Sequence, residues 1–234
     1  MKITNRDVLI AISSLLLAAA LVAGCISLSP KQGYNFALKR TSAPTGAFVL
    51  VEVTHDMHAM GCKAIDKNID CVTLLKELPA LSTSGSGSGM MTMSDIGPGI
   101  LTAAHVCEKD TPDSFIHEGV EIDIQSSITV RVHSPVHGSF DASIAKTDSD
   151  KDLCFLKPSK IFIHPVPLSK SPPSLGDKVY AIAAPFGISG RNLSLIFNGY
   201  FSGTRNNTRF YTIPTRPGSS GAAVLNDQWE VVCV

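Results

Sequence analysis

The stretch 101–106 reads Leu-Thr-Ala-Ala-His-Val, and it is the first of three short segments that decide how this chain folds. It has the form of a strand that ends in small residues and presents His105. Imidazole has an unperturbed pKa of about 6.5, so His105 can accept and return a proton near neutral pH. A lone histidine is more often a buried core residue, so this interpretation depends on partners further along the chain.

The second segment, 150–156, reads Asp-Lys-Asp-Leu-Cys-Phe-Leu and places an acid at the start of an apolar strand. A carboxylate at Asp152 can orient the His105 tautomer and stabilise the imidazolium. The alternatives for this role are Asp141, Asp148 and Asp150, which read more simply as solvated loop acids. Asp152 is preferred because it directly precedes the strand.

The third segment, 216–223, reads Arg-Pro-Gly-Ser-Ser-Gly-Ala-Ala, a serine flanked by glycines in a tight turn. Glycines permit backbone geometry in which successive N–H groups point into one small space. Ser220 is the predicted nucleophile because Gly221 follows it directly, and the N–H groups of Gly218 and Ser220 are then the predicted oxyanion hole. Ser219 is the alternative nucleophile, with a turn hydroxyl as its ordinary role.

The rest of the chain predicts an all-β fold. From Gly85 onward, short apolar stretches alternate with Gly, Pro, Asp and Ser at the spacing of many short strands. An earlier strand is predicted at 47–53, and one short helix at 72–78. The later strands are predicted at 89–93, 99–102, 128–132, 139–145, 153–156, 178–183, 198–203, 210–214, 222–225 and 230–234.

Composition and charge argue against several other functions. Lys+Arg and Asp+Glu both number 20, so no strong field directs the chain to nucleic acid. The 44% hydrophobic content is enough for a core. His55, His58 and Cys62 could suggest a metal site, but surface-loop positions are the simpler interpretation. We expect neither a metal nor a cofactor.

The N-terminus is predicted to direct export. Lys2 and Arg6 precede an apolar run over 8–22 that is short for a membrane-spanning helix of ~20 residues. The run ends in Val-Ala-Gly-Cys, which resembles the bacterial lipobox and predicts that Cys25 carries lipid. An ordinary signal peptide or signal anchor is the alternative. Residues 1–24 are thus a predicted lipoprotein signal peptide and 25–46 a tether.

The predicted location is outside the cytoplasm, lipid-anchored to the cell envelope. Ile26 rather than Asp follows the cysteine, which favours the outer membrane in a Gram-negative host. Disulfide bonds persist in such a compartment. Cys62 and Cys71 are close enough in sequence to pair. Cys107 and Cys154 each lie two residues after a predicted catalytic residue, so they come within bridging reach if His105 and Asp152 meet.

The segments together resemble the chymotrypsin-like serine proteases, and most closely their bacterial HtrA (Deg) branch. Five motifs match in order: Gly-Ser-Gly-Ser-Gly at 85–89, Thr-Ala-Ala-His-Val at 102–106, the Asp-Leu strand at 152–156, the Gly-Asp-x-Val segment at 176–187, and the serine loop at 218–222. The stretch 198–203 also resembles the family's G-x-V-S strand.

This resemblance implies a double Greek-key β-barrel within 47–234, with the boundary between the barrels near 160–175. His105 and Asp152 would belong to the first barrel and Ser220 to the second. The implied activity is hydrolysis of protein or peptide substrates through an acyl-enzyme, with no cofactor.

Three departures qualify the resemblance. Ala222 and Ala223 stand where the family usually has glycine and proline. The chain ends at Val234, about where relatives continue into the segment that pairs with substrate, so we expect a fragment or a second barrel that is incomplete at its C-terminus. The ending also leaves no room for a PDZ domain. A protease-like binding protein that has lost turnover is therefore the alternative function.

Two further interpretations concern the chemistry of the site. Residues 210–219 contain no acid, so the sequence does not support a primary pocket for Arg or Lys side chains. An α/β-hydrolase esterase is disfavoured, because no helix is predicted after Ser220.

Overall fold

The computed structural model describes residues 42–64, 71–78, 80–108, 113–117, 119–161 and 165–234. The predicted signal peptide, Cys25 and most of the predicted tether lie outside these residues. Within the described ranges, no helix is both long and apolar enough to span a membrane.

Strands dominate the described part of the chain. They are β1 (Phe48–Ala64), β2 (Leu81–Ser94), β3 (Gly97–Thr102), β4 (Ser114–His117), β5 (Val120–Ser134), β6 (Gly138–Asp148), β7 (Leu153–Pro158), β8 (Lys178–Ala183), β9 (Leu195–Arg205), β10 (Thr208–Tyr211), β11 (Val224–Leu225) and β12 (Val231–Cys233). The helices are α1 (Cys71–Glu77) and α2 (Ala104–Cys107), with 3-10 turns at Thr45–Ala47, Ser149–Lys151 and Pro185–Gly187.

The first sheet closes into a barrel. Its strands follow the order β1-β2-β3-β7-β6-β5-β4, and an additional pairing between β1 and β5 joins the two sides. Large apolar side chains fill the interior, among them Phe48, Met90, Ile100 and Leu156, all fully buried. Burying a side chain of this kind contributes about 1.5–3 kcal/mol relative to exposure, so these residues stabilise the closed arrangement.

The second sheet contains the C-terminal strands in the order β10-β9-β8-β11-β12. The pairings among the described residues leave this sheet open between β10 and β12, although the Arg209 guanidinium donates a hydrogen bond of 3.1 Å to the Val232 carbonyl. Residues 159–177, which contain no strand among those described, connect the two sheets. The two sheets confirm the predicted all-β class.

Each predicted strand overlaps a strand of the structure, but the sequence underestimated β1 and β5. These two strands continue past the barrel as a ribbon, paired from His55 opposite Ile128 to Ala64 opposite Val120. Side chains in the middle of the ribbon, at 123–129 of β5, are exposed or half-buried on both faces, so the alternation of polar and apolar residues that marks a strand is weak there, although Val120 and Ile122 at the far end are fully buried. β4, at the edge of this ribbon, was not predicted at all.

The interpretation of His55 and His58 as surface-loop residues is wrong. Both lie on β1, and His55 is buried. Cys62, also on β1, forms a disulfide bond with Cys71 at the start of α1. The structure contains the second predicted disulfide bond as well, between Cys107 and Cys154.

Candidate active site

Two neighbouring strands bring His105 and Asp152 together. β3 pairs with β7, with Thr102 opposite Cys154. The chain leaves β3 through Ala103, which is still extended, and turns at once into α2, which carries His105. Asp152 lies between the 3-10 turn Ser149–Lys151 and β7. The disulfide bond between the buried residues Cys107 and Cys154 joins α2 to β7, and so fixes the two segments to each other.

The Asp152 carboxylate contacts His105 in three ways. Its Oδ2 and Oδ1 lie 2.8 and 2.9 Å from Nδ1 of the ring, and Oδ1 accepts a hydrogen bond of 3.0 Å from the backbone N–H of His105. An aspartate in this position favours the tautomer with its proton on Nδ1, which leaves Nε2 as a proton acceptor. The hydrogen bond to Asp152 raises the pKa of His105, although partial burial acts in the opposite direction.

Asp152 is held as a carboxylate by the same contacts. Partial burial pushes its pKa upward, but hydrogen bonds from the His105 ring and from the backbone N–H groups of His105 and Ala104, with the charge of His105, bring the pKa below its ordinary value. The backbone of Asp152 is left-handed, with φ 51°. Few residue types other than glycine adopt this conformation, and aspartate and asparagine are prominent among them.

The rival acids have other positions. Asp148 caps the 3-10 turn by accepting a hydrogen bond from the Lys151 N–H, and it forms an ion pair with the Lys151 side chain. Asp141 and Asp150 are exposed. Of these four carboxylates, Asp152 is the one in contact with His105.

The serine loop packs directly against the chain that leads into α2. Gly221 has φ +80°, and a Cβ built on it would collide with the Thr102 side chain and the Ser88 carbonyl and would lie 2.8 Å from the Ala103 N. No other residue type fits there without displacing backbone. The glycine that follows Ser220 therefore permits the second barrel to approach the segment that carries His105.

Four successive carbonyl groups of the serine loop accept hydrogen bonds. The Pro217 carbonyl accepts from the Phe186 N–H at 2.6 Å, and the Ser219 carbonyl from the Ala222 N–H at 3.0 Å. The other two bonds both come from Ser88, whose Oγ donates to the Gly218 carbonyl at 2.8 Å and whose N–H donates to the Ser220 carbonyl at 2.7 Å.

These bonds also fix the N–H groups of the loop. In a trans peptide the C=O and N–H point in opposite directions. Holding the Pro217 and Ser219 carbonyls therefore sets the directions of the Gly218 and Ser220 N–H groups. Neither of these two N–H groups donates a hydrogen bond within the described part of the chain, so both remain available to an incoming anion.

Ser88 is a residue of the site that the sequence did not reveal. It is fully buried, and its hydroxyl donates to the Gly218 carbonyl while accepting a hydrogen bond of 2.9 Å from the Ala184 N–H. The sequence showed Ser88 only as part of a Ser/Gly run. The role of Ser88 depends on a contact with a residue 130 positions further along the chain. A serine that becomes buried in β2 for this reason cannot be recognised from the neighbouring sequence.

The remaining members of the serine loop have clear places. The Ser219 hydroxyl accepts a hydrogen bond of 3.3 Å from the Arg216 N–H, which is the turn role considered for it. Ala222 donates the bond to the Ser219 carbonyl. Among the described residues, no hydrogen bond joins the Ser220 hydroxyl to the His105 ring.

The fold of the chain is similar to that of a known protease. The chain is similar to the crystal structure of the serine endoprotease from Yersinia pestis, with a TM-score of 0.50 and 22% sequence identity. The match covers 87% of this chain and 57% of that protein, so this chain spans little more than half of the length of that relative. No curated protein sequence matches the chain.

The structural likeness supports the chymotrypsin-like, two-barrel fold. The sequence profile of the trypsin-like peptidase domain matches residues 87–234, which is more than half of the chain. The chain therefore belongs to the trypsin-like peptidase family.

Proposed function

We propose that the chain is a serine endopeptidase that uses His105, Asp152 and Ser220 as a catalytic triad and the N–H groups of Gly218 and Ser220 as an oxyanion hole. The contact that carries this proposal is the one between Nδ1 of His105 and the Asp152 carboxylate, at 2.8 Å. It leaves Nε2 free to act as a base. His105 lies on α2, and the serine loop packs against Thr102 and Ala103 just before that helix.

Hydrolysis then proceeds in two steps. Nε2 of His105 takes the proton of Ser220 while Oγ attacks the peptide carbonyl, and the resulting oxyanion accepts hydrogen bonds from the two free N–H groups. His105 next gives its proton to the leaving amine, and water hydrolyses the acyl-enzyme by the same route. The attack requires the Ser220 hydroxyl to come within about 2.6–3.2 Å of Nε2, a contact that often forms only with substrate bound.

The experiment that tests this function is labelling of the folded full-length chain with a fluorophosphonate, followed by identification of the modified peptide. An activated serine reacts with this reagent, and a turn hydroxyl does not. We expect the label on Ser220. A folded chain that takes up no label would instead support the protease-like binding protein.

Activity should fall as the solution becomes acidic, with a midpoint above the ordinary imidazole pKa of about 6.5. The hydrogen bond to Asp152 raises the pKa of His105, so the ring binds a proton already at a higher pH than free histidine does. A protonated ring cannot take the proton of Ser220, so activity is lost as pH falls through this raised pKa. The measurement is kcat/KM against pH, which reports groups of the free enzyme. A midpoint at or below the ordinary value would contradict the prediction.

Ser88 is expected to position the oxyanion hole. Ser88→Ala removes the hydrogen bonds to the Gly218 carbonyl and from the Ala184 N–H. Among the described residues, the Gly218–Ser219 peptide group, which lies between the two proposed donors, is then held only by the bond of 2.9 Å from the Ser219 N–H to the Arg216 carbonyl. We expect kcat to fall roughly 10–100-fold with little change in KM, because a small misplacement of transition-state donors has effects of this size.

Ser94→Ala is the matched control for Ser88. Ser94 lies on the same strand, and its hydroxyl likewise donates to a carbonyl, that of Gly97, and accepts from an N–H, that of Ile96. It belongs to the β2–β3 turn, away from the serine loop. Ser88→Ala leaves the buried Ala184 N–H unpaired and is expected to lose roughly 1–3 kcal/mol of stability, and Ser94→Ala, whose bonds lie nearer the surface, about 1 kcal/mol or less. Equal kcat values for the two would show that Ser88 acts only on stability.

We also propose that the protein is exported and anchored by lipid on Cys25. The two disulfide bonds indicate an oxidising compartment, and the sequence around Cys25 resembles a lipobox. In a bacterial host that expresses the full chain, Cys25→Ala should abolish incorporation of an alkyne-labelled fatty acid, whereas Ser27→Ala should retain it. Equal incorporation into both variants would disprove the anchor.

A further inference from the structure

Phe186 is the most unusual residue near the serine loop. It lies in the 3-10 turn Pro185–Gly187 with φ 55° and ψ 26°, the left-handed region. A bulky aromatic residue seldom adopts this conformation, which is unfavourable for a side chain with a Cβ. Ala184 and Pro185, just before it, are buried, but Phe186 itself is 68% exposed.

Neither core packing nor the backbone preference of the turn explains why a phenylalanine occupies position 186. An exposed ring contributes little to the core, and glycine or asparagine would relieve the backbone. Unfavourable backbone conformations of this kind cluster at functional sites, where the surrounding structure holds them in place. Here the surrounding structure is the serine loop.

The backbone of Phe186 lies directly against the proposed oxyanion hole. Its N–H donates the bond of 2.6 Å to the Pro217 carbonyl. A Cβ placed on Gly218 would lie 2.5 Å from the Ala184 carbonyl oxygen and 3.0 Å from the Phe186 N. The Phe186 backbone is therefore held next to the Pro217–Gly218 peptide group. The N–H of that group is one of the two proposed donors to the scissile carbonyl.

More exposed apolar side chains accompany Phe186 on the loop 186–193. Ile188 and Leu193 are exposed, and the loop is fastened to the β5–β6 turn of the first barrel by a hydrogen bond from the Asn192 N–H to the Pro135 carbonyl at 2.9 Å. Val136, beside that contact, is exposed as well. Exposed apolar side chains that collect at one place on a soluble domain mark binding sites.

We propose that Phe186, with Ile188 beside it, binds apolar side chains of the substrate on the leaving-group side of the scissile bond. This inference rests on the proposed function. By the family resemblance, residues 210–219 wall the pocket for the acyl half of the substrate. The turn 185–187 contacts this wall at Pro217 and Gly218, at its end next to Ser220, and the exposed Phe186 ring is available to the half of the substrate that the wall does not bind.

The test is acyl transfer to added amines, because an amine that attacks the acyl-enzyme occupies the leaving-group side. The acyl donor is p-nitrophenyl acetate, whose acetyl group is too small to report on the acyl pocket. The amine nitrogen attacks the acetyl carbonyl, the bond to the Ser220 Oγ breaks, and the proton lost by the amine returns to Ser220 through His105. Leucinamide and glycinamide compete, and the ratio of the two N-acetyl products is measured.

Phe186→Asn removes the ring and keeps both the N–H and a residue type that tolerates the left-handed backbone. We expect the wild type to favour leucinamide, and Phe186→Asn to lower the product ratio about 5–10-fold, the effect of losing apolar contact equivalent to roughly one or two methylene groups. Phe186→Tyr should restore the ratio. p-Nitrophenyl acetate also acetylates amines without enzyme, so the products of a reaction without enzyme are subtracted. The corrected ratio does not depend on how much of the enzyme is active.

Leu175→Asn is the matched control. Leu175 is 77% exposed, and its side chain lies near Gly203 in β9. Its variant should give the wild-type ratio. An unchanged ratio in Phe186→Asn, or a change confined to selectivity among longer acyl donors, would overturn the inference while leaving the proposed function intact. A wild-type chain that forms no acetyl-enzyme on Ser220 would overturn both.

Discussion

Replacing Ser220 with alanine is expected to abolish fluorophosphonate labelling and to lower kcat for peptide hydrolysis on the order of 10⁶-fold. Without Oγ no acyl-enzyme can form, and hydrolysis is left with the oxyanion hole and substrate binding alone. KM should change little, because the hydroxyl contributes mainly to the transition state. The measurements are kcat and KM on a peptide substrate and the labelled fraction by mass spectrometry.

Ser219→Ala is the control for this variant. The two hydroxyls are adjacent, but that of Ser219 accepts a hydrogen bond from the Arg216 N–H and belongs to the turn. Its variant should keep the label and most of the activity. Labelling that persists in Ser220→Ala, or that disappears in Ser219→Ala instead, would show that Ser220 is not the nucleophile and would end the proposal for it.

Asp152→Asn is expected to lower kcat by about 10⁴-fold with the fold unchanged. Asparagine tolerates the left-handed backbone, with φ 51° at this position, so the loop has no reason to rearrange. The amide oxygen can still accept from the backbone N–H of His105, as Oδ1 does. Its NH₂ group then faces Nδ1 and donates to it, which places the ring proton on Nε2, where it prevents His105 from acting as a base.

Asp150→Asn serves as the comparison, since it removes the same charge two residues away from an exposed position. It should keep nearly full activity. The melting temperatures of both variants should stay close to that of the wild type. If Asp150→Asn and Asp152→Asn lost activity equally, the acid would act through the local field and not through its hydrogen bonds to His105.

Some parts of the candidate site could be recognised from the sequence alone. His105 and Asp152 lie next to β3 and β7, and Ser220 lies in a glycine-flanked turn, so short motifs marked all three as candidates. The pairing of Cys107 with Cys154 followed from their equal offsets from His105 and Asp152, because β3 and β7 are neighbours with Thr102 opposite Cys154. Features of this kind depend on neighbouring residues, or on the same short spacing at two places, as with the two cysteines that each lie two residues after a candidate catalytic residue.

The features that were missed depend on distant contacts. Ser88 lies 130 residues before the carbonyl that it holds. The ribbon of β1 and β5 was underestimated because its middle, at 123–129 of β5, is solvated on both faces and lacks the period of two. Phe186 could not be distinguished from a core phenylalanine, because its left-handed backbone is imposed by the bonds around it.

The sequence by itself determined the all-β class, the order of the strands along the chain and the candidate catalytic residues, because these depend on apolar periodicity, glycine placement and side-chain chemistry. Only the tertiary structure decided which carboxylate meets His105, how the carbonyls of the serine loop are held, and where Phe186 is presented. These outcomes depend on hydrogen bonds and close packing between segments separated by tens of residues. The free energy of such contacts arises only when the two sheets have formed and face each other.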